Sequence, residues 1–155
     1  MSESESWQRT IEGREYLVTT DRRRLDIEVV HGFLALHSYW ASGIPRTTLE
    51  ESIRNSLCFG LFHSTEQIGF ARVISDFATF AYLGDVFVAP GFRGRGLSKW
   101  LLECVCSHPG LKDLRRWILV TGDAHGLYTK FGFTQLAHPE NFMERHNPDV
   151  YKANG

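Results

Sequence analysis

One stretch of the chain combines the residue types that hold an anion: Val86-Phe87-Val88-Ala89-Pro90-Gly91-Phe92-Arg93-Gly94-Arg95-Gly96-Leu97-Ser98. An apolar run with strand character leads into a Gly/Arg-rich turn, and the turn leads straight into a helical pattern. Glycines let a backbone approach a phosphate closely. The first N–H groups of a helix have no intrahelical partner and point at such a group. Arg93 and Arg95 stand by to pair with further negative charge. A phosphorylated cofactor or substrate is therefore expected here. The turn is not a Walker A loop, because it lacks Gly-Lys-Ser/Thr.

Bulk composition narrows what such a site serves. With 155 residues the chain is expected to be one domain, residues 1–155, with residues 1–10 a loose N-terminal tail. Seventeen basic residues nearly balance eighteen acidic ones, which argues against a nucleic-acid partner. No run approaches the ~18 apolar residues of a membrane span, and the N-terminus lacks a basic-then-apolar leader pattern. A cytoplasmic protein without a membrane partner is expected. Cys58, Cys104 and Cys106 sit in apolar runs and read as buried free thiols. The seven histidines are scattered, without ligand spacing, so no metal is expected.

The elements that must position the turn follow from periodicity. Tyr16–Thr20 reads as a strand. Asp26 caps a helix to about Ser38, with Ile27, Val30, Phe33, Leu34 and His37 at helical spacing. An aromatic-rich loop, Tyr39 to Pro45, follows, and Thr47-Thr48-Leu49-Glu50 fits a capping box opening a helix to about Asn55. Leu57–Phe62, Ile68–Ile74 and Thr79–Val88 read as an antiparallel meander. Leu97, Leu101, Cys104 and Val105 form an apolar helical stripe that Pro109-Gly110 ends. Arg116–Thr121 reads as a strand parallel to the one at 79–88, making a β–α–β unit. Ala124–Lys130 is a short helix ended by Gly132, and Phe133–Leu136 starts a last strand. The expected class is mixed α+β: a central sheet of about six or seven strands flanked by about four helices.

Arg93-Gly94-Arg95-Gly96-Leu97-Ser98 resembles the (Gln/Arg)-x-x-Gly-x-(Gly/Ala) signature of the GNAT superfamily of acyl-CoA-dependent N-acetyltransferases. Asp85-Val86-Phe87-Val88-Ala89-Pro90 looks like that family's fourth strand. Ala124-His125-Gly126-Leu127-Tyr128-Thr129-Lys130-Phe131-Gly132-Phe133 looks like the block that closes its cofactor site. The resemblance covers about residues 15–136.

The resemblance implies that the backbone N–H groups of Arg93, Gly94, Arg95, Gly96, Leu97 and Ser98 bind the pyrophosphate of coenzyme A. It implies that Val86, Phe87 and Val88 offer their backbone to the pantetheine arm as though it were an added strand. A splay between this strand and the 116–121 strand would admit the arm, and Gly84 would mark a bulge. Tyr128 matches the family's general acid toward the departing thiolate. Ser98 stands where Gly or Ala is usual. Asp123 lies near the usual Asn that contacts pantetheine. His125 and Asp85 are candidate bases. Asp85 and the loop residues Tyr39, Trp40 and Ile44 are candidates for the acceptor site.

The implied activity is direct acetyl transfer from acetyl-CoA to a primary amine in a ternary complex, with a monomer or homodimer as the working unit. An amine of pKa ~10 must lose a proton before it attacks. Two rival readings use the same turn: an acyl-CoA-binding sensor without turnover, and an unrelated phosphate-ligand enzyme.

Overall fold

The computed structural model describes residues 3–152. Two strands, β1 (Ser6–Ile11) and β2 (Arg14–Thr19), open the chain. They are joined by Glu12-Gly13, both at positive φ (51° and 76°), as a two-residue hairpin of matching twist requires. The expected loose tail is thus corrected. Ser6 to Thr10 belong to β1, registered from Ser6↔Thr19 to Ile11↔Arg14, and Met1 and Ser2 lie outside the described residues. Trp7 supplies the physical reason, because its ring stacks on Phe59 with centroids 6.0 Å apart.

Helix α1 (Ile27–His37) starts where Asp26 Oδ1 accepts the N–H groups of Glu28 and Val29. Helix α2 (Arg46–Arg54) begins after Pro45, with no side-chain cap. The expected capping box does not form, since Thr47 and Thr48 are already inside the helix and Glu50 accepts from Arg46 Nε at 3.0 Å. Strands β3 (Leu57–His63), β4 (Glu66–Ser75) and β5 (Phe80–Val88) complete the meander. Helix α3 (Leu97–Ser107) crosses over to β6 (Arg116–Leu119), which pairs parallel to β5. Helix α4 (His125–Thr129) follows. The six strands lie in sequence order in one sheet, antiparallel except for the last pair. This is the mixed α+β architecture that the periodicities imply.

Among the described residues no strand follows β6. Phe133–Leu136 was expected to begin one, but Gly132 turns away at φ 86° and Pro139 cannot donate to a ladder. No helix among the described residues is long and apolar enough to cross a membrane.

Two apolar clusters cover the sheet. The stripe Leu97, Leu101, Cys104 and Val105 of α3 packs with Phe59, Leu61, Ile68, Val73, Ala81 and Leu83. On the other side, Val30 and Leu34 of α1 and Leu49 and Ile53 of α2 pack with Cys58, Phe70 and Phe87. Cys58 and Cys104 are buried as expected; Cys106 is exposed, because it lies two residues from Cys104 on a helix and turns to the outer face.

Candidate active site

A bulge in β5 sets the geometry. Arg72 of β4 faces Gly84, whereas Phe70 faces Phe87, so two residues of β4 span three of β5. Asp85 takes up the extra residue with φ 54°, a left-handed value that Asp tolerates better than most side chains. The expected bulge therefore lies one residue beyond Gly84. Its consequence is a change of phase. Ala81 and Leu83 face the α3 cluster before it, Val88 faces that cluster after it, and Phe87 faces the α1–α2 cluster.

Beyond this point β5 and β6 part. Their parallel register runs from Phe80↔Arg116 to Leu83↔Leu119 and stops. Phe87 and Val88 keep their partners on β4 only, so among the described residues no strand lies beside the other edge of residues 84–88. β6 ends at Leu119 rather than at the expected Thr121. The Thr121 hydroxyl instead accepts the N–H groups of Asp123 and Ala124, turning the chain into α4.

The turn after β5 opens onto the same cleft. Pro90–Phe92 form one 3-10 turn, and Gly94 and Gly96 sit at φ 79° and 77°. A Cβ at either glycine would meet nothing within 4 Å, so backbone conformation, not packing, calls for glycine. Gly96 is the N-cap of α3, and the helix has neither a side-chain cap nor an acidic residue in its first turn. The N–H groups of Leu97, Ser98 and Lys99 therefore lack intrahelical partners, and the helix dipole adds positive character there. Leu97 itself is buried in the core, so it offers the cleft its backbone only. Arg93 Nε donates to the Val88 carbonyl at 3.0 Å, and the Arg95 guanidinium lies 5.6 Å from the centre of the Phe92 ring.

On the opposite side, α4 carries exposed His125 at its first residue and half-buried Tyr128 one turn on. The Tyr128 ring packs edge-on against Phe133. Burial, with smaller contributions from nearby Tyr39 and Asp123, pushes its phenol up to about 12. Asp123 is exposed in the turn before α4.

The loop from Ser38 to Pro45 arches over the cleft. Ser38 Oγ anchors its start, donating to the Leu34 carbonyl and accepting the Ala41 N–H. The Tyr39 hydroxyl accepts the Gly122 N–H, and Trp40 Nε1 donates to Asp85 Oδ1 at 2.8 Å. Ile44 does not join them: it is buried among Val30, Leu34 and Leu49, and so supports the loop from beneath. Asp85 Oδ2 accepts from Arg72 Nε at 2.8 Å, and Arg72 Nη1 donates to Ser56 Oγ at 3.0 Å. Sequence reasoning missed Arg72 and Gly122. The signal for Arg72 was a single charge inside the apolar run Ile68–Ile74; Gly122 had none.

Cys58 and Cys104 are removed from nucleophilic chemistry by burial, which pushes both thiols up to about 12. Among the described residues no three His, Cys, Asp or Glu side chains gather in a metal-holding group. A cavity of about 630 Å³ lies elsewhere, between β6 and residues 131–142, lined by Trp117, Phe133 and Phe142 among others.

Residues 54–135 match the family model described as acetyltransferase (GNAT) domain. A Gibberella zeae protein named as a candidate acetyltransferase, FG08082, is 32% identical over 136 residues, covering 75% of this chain and 77% of the relative. The crystal structure of a candidate GNAT acetyltransferase from Xanthomonas campestris pv. campestris superposes with a TM-score of 0.86 at 51% identity, covering 88% of this chain and 96% of that one. Rv2747 from Mycobacterium tuberculosis, solved in complex with CoA, shares the fold with a TM-score of 0.56 at 19% identity, over 74% of this chain and 71% of that one. The cleft formed where β5 and β6 part, the uncapped start of α3 beside it and these similarities agree, and the chain belongs to the GNAT acetyltransferase family.

Proposed function

We propose that the protein transfers an acetyl group from acetyl-CoA to a primary amine, with donor and acceptor bound together in the cleft between β5 and β6. The observation that carries this reading is the free edge of β5 running into the uncapped N-terminus of α3. An extended amide-bearing arm fits the first, and a pyrophosphate fits the second. The residues present suit coenzyme A on chemical grounds. The backbone N–H groups from Arg93 to Ser98 would hold the pyrophosphate, and Val86, Phe87 and Val88 would pair with the pantetheine amides. Asp123, exposed in the turn before α4, stands near the position of the family's usual pantetheine-contacting Asn. Acetyl-CoA supplies an activated thioester.

The chain's own groups then manage protons. The amine nitrogen forms the new C–N bond as the C–S bond breaks, and the proton shed by nitrogen must leave. His125, exposed at the head of α4, takes it through water. Backbone N–H groups of Val86 to Val88 face the charge that develops on the carbonyl oxygen. Tyr128 donates a hydrogen bond to the departing sulfur. Burial favours the neutral phenol, so Tyr128 is present as a donor when the C–S bond breaks. Tyr128 therefore lowers the charge on sulfur, while the proton that completes the thiol comes in net from the amine.

Calorimetric titration with acetyl-CoA, with ATP as control, tests the reading. Micromolar binding of acetyl-CoA and none of ATP is expected, followed by CoA release when an amine is added. Equal affinity for ATP, or none for acetyl-CoA, would move the phosphate site elsewhere.

A further inference from the structure

Two adjacent residues of the α1–α2 loop are fastened to opposite sides of the cleft. Trp40 bonds to Asp85 on β5, and Tyr39 bonds to Gly122 beyond β6. Their rings meet edge to face with centroids 5.0 Å apart. Burial does not hold them, since Tyr39 is 62% and Trp40 43% exposed. Directional bonds to two separate elements do.

The Asp85 end of this tether is rigid. The Asp85 and Arg72 side chains are 9% and 17% exposed, and Arg72 is held in turn by Ser56. Removing either partner would leave a mostly buried charge uncompensated, so the pair persists once formed. At the left-handed bulge residue Asp85, the carboxylate reaches the α1–α2 side, where it accepts from Trp40 as well as from Arg72. There the packing is continuous: Phe33 of α1 stacks on Phe87 at 4.0 Å, and the Trp40 ring lies 6.5 Å from Phe33.

We infer that Asp85 is a positioning residue that acts through Trp40, fixing the α1–α2 loop as the acceptor-side wall of the cleft instead of taking the amine proton itself. Both carboxylate oxygens already have donors, and the charge is matched by a guanidinium at 2.8 Å. The inference rests on the acetyl-transfer reading and refines which residues of the cleft serve the acceptor.

The full chain, Trp40→Phe, Asp85→Asn and the double variant are compared. Asn suits a positive φ and still offers an oxygen to the indole, but lacks the carboxylate of a base. Acetyl-CoA affinity is expected to stay within about twofold in Trp40→Phe, whose bond to Asp85 involves none of the residues assigned to coenzyme A. CoA release is then followed with tryptamine, spermidine and an unblocked lysine peptide. Trp40→Phe should raise the KM of the accepted amine roughly tenfold, as for loss of a hydrogen bond to a charged group, with kcat little changed. Asp85→Asn, which keeps an acceptor for the indole, should raise the same KM less than Trp40→Phe and leave the pH profile unaltered, and the double variant should be no worse than Trp40→Phe alone. A fall in kcat of roughly 100-fold or more in Asp85→Asn, with a changed pH profile, would make Asp85 the base and overturn the inference. An unchanged KM in Trp40→Phe would overturn it equally.

A readout independent of substrate is the hydrogen exchange of the Trp40 indole N–H, assigned by its absence in Trp40→Phe. Slow exchange in the natural chain and fast exchange in Asp85→Gly, which suits the same backbone, is expected. Equal rates would overturn the tether. Absence of acetyl-CoA binding would sink the acetyl-transfer reading alone, while indole exchange would still decide the tether.

Discussion

The Tyr39 hydroxyl accepts the Gly122 N–H at 2.7 Å, joining the loop after α1 to the turn after β6 across 83 residues of sequence. A side chain at Gly122 would crowd this bond, because a Cβ there would lie 3.2 Å from the hydroxyl. Tyr39→Phe keeps the ring and removes the acceptor. We expect the loop from Ser38 to Pro45 to be cut faster by limited proteolysis in Tyr39→Phe, at a global cost of about 1 kcal/mol, the usual value of one hydrogen bond. An unchanged cleavage rate would mean that Trp40 holds the loop unaided.

The Arg72–Asp85 pair carries a stability prediction of its own. Asp85→Val strips Arg72 of its partner and places a β-branched side chain at φ 54°. Both effects destabilise, and breaking a mostly buried pair alone costs about 3 kcal/mol. Urea denaturation should therefore show a large drop in midpoint. Asp85→Asn, which keeps the conformation, should lose less. Equal losses would assign the whole effect to charge and none to the backbone.

The two halves of the site differed in how far the sequence revealed them. The turn from Arg93 to Ser98 and the helix after it are local: glycine placement and an apolar stripe at helical spacing depend on neighbours a few residues away, and both were legible. The meander was legible for the same reason, since alternation and short turns are local signals. The tether was not. Trp40, Asp85, Arg72 and Ser56 lie in four separate segments: the register of β4 on β5 brings Arg72 to Asp85, and the packing of α1 and α2 on the sheet brings Trp40 and Ser56 to them. Ile44 shows the opposite error. Its place in an aromatic loop suggested the acceptor site, but an apolar side chain beside two helices is buried between them. At the chain's ends, β1 was missed because polar Ser6, Gln8, Arg9 and Thr10 hide a strand held mainly by its ladder and Trp7. The last strand was expected from four residues too few to hold a register against the following proline.

Gly96 separates fold from binding. Its φ of 77° costs an alanine about 1–2 kcal/mol, yet a Cβ there meets nothing. Gly96→Ala should lower the melting temperature and keep most of the acetyl-CoA affinity. Gly96→Asp adds a carboxylate at the N-cap of α3, where it can accept the very N–H groups assigned to the pyrophosphate and repel its charge. Acetyl-CoA affinity should fall by roughly 100-fold or more, about the 3 kcal/mol of a lost charged hydrogen bond. Calorimetry on the two variants decides the matter. Tight binding by Gly96→Asp would place the phosphate elsewhere.

Tyr128 makes the sharpest prediction about pH. Its phenol is raised above the usual value of about 10, to about 12, chiefly by burial. A raised value means that the neutral form is favoured in the folded chain. The associated stability is fully present below the unfolded value and is lost as pH rises toward about 12. Tyr128 thus remains a donor throughout the neutral range, and no limb of the pH–rate profile below pH 10 should belong to it. Tyr128→Phe should keep acetyl-CoA affinity and lower turnover roughly 10- to 1000-fold at every pH tested, without changing the shape of the profile. In an alkaline absorbance titration, the same variant should lack one of the late-titrating phenols. A profile that loses a limb in Tyr128→Phe would show that the phenol titrates during turnover, and the hydrogen-bond role would give way to outright proton transfer.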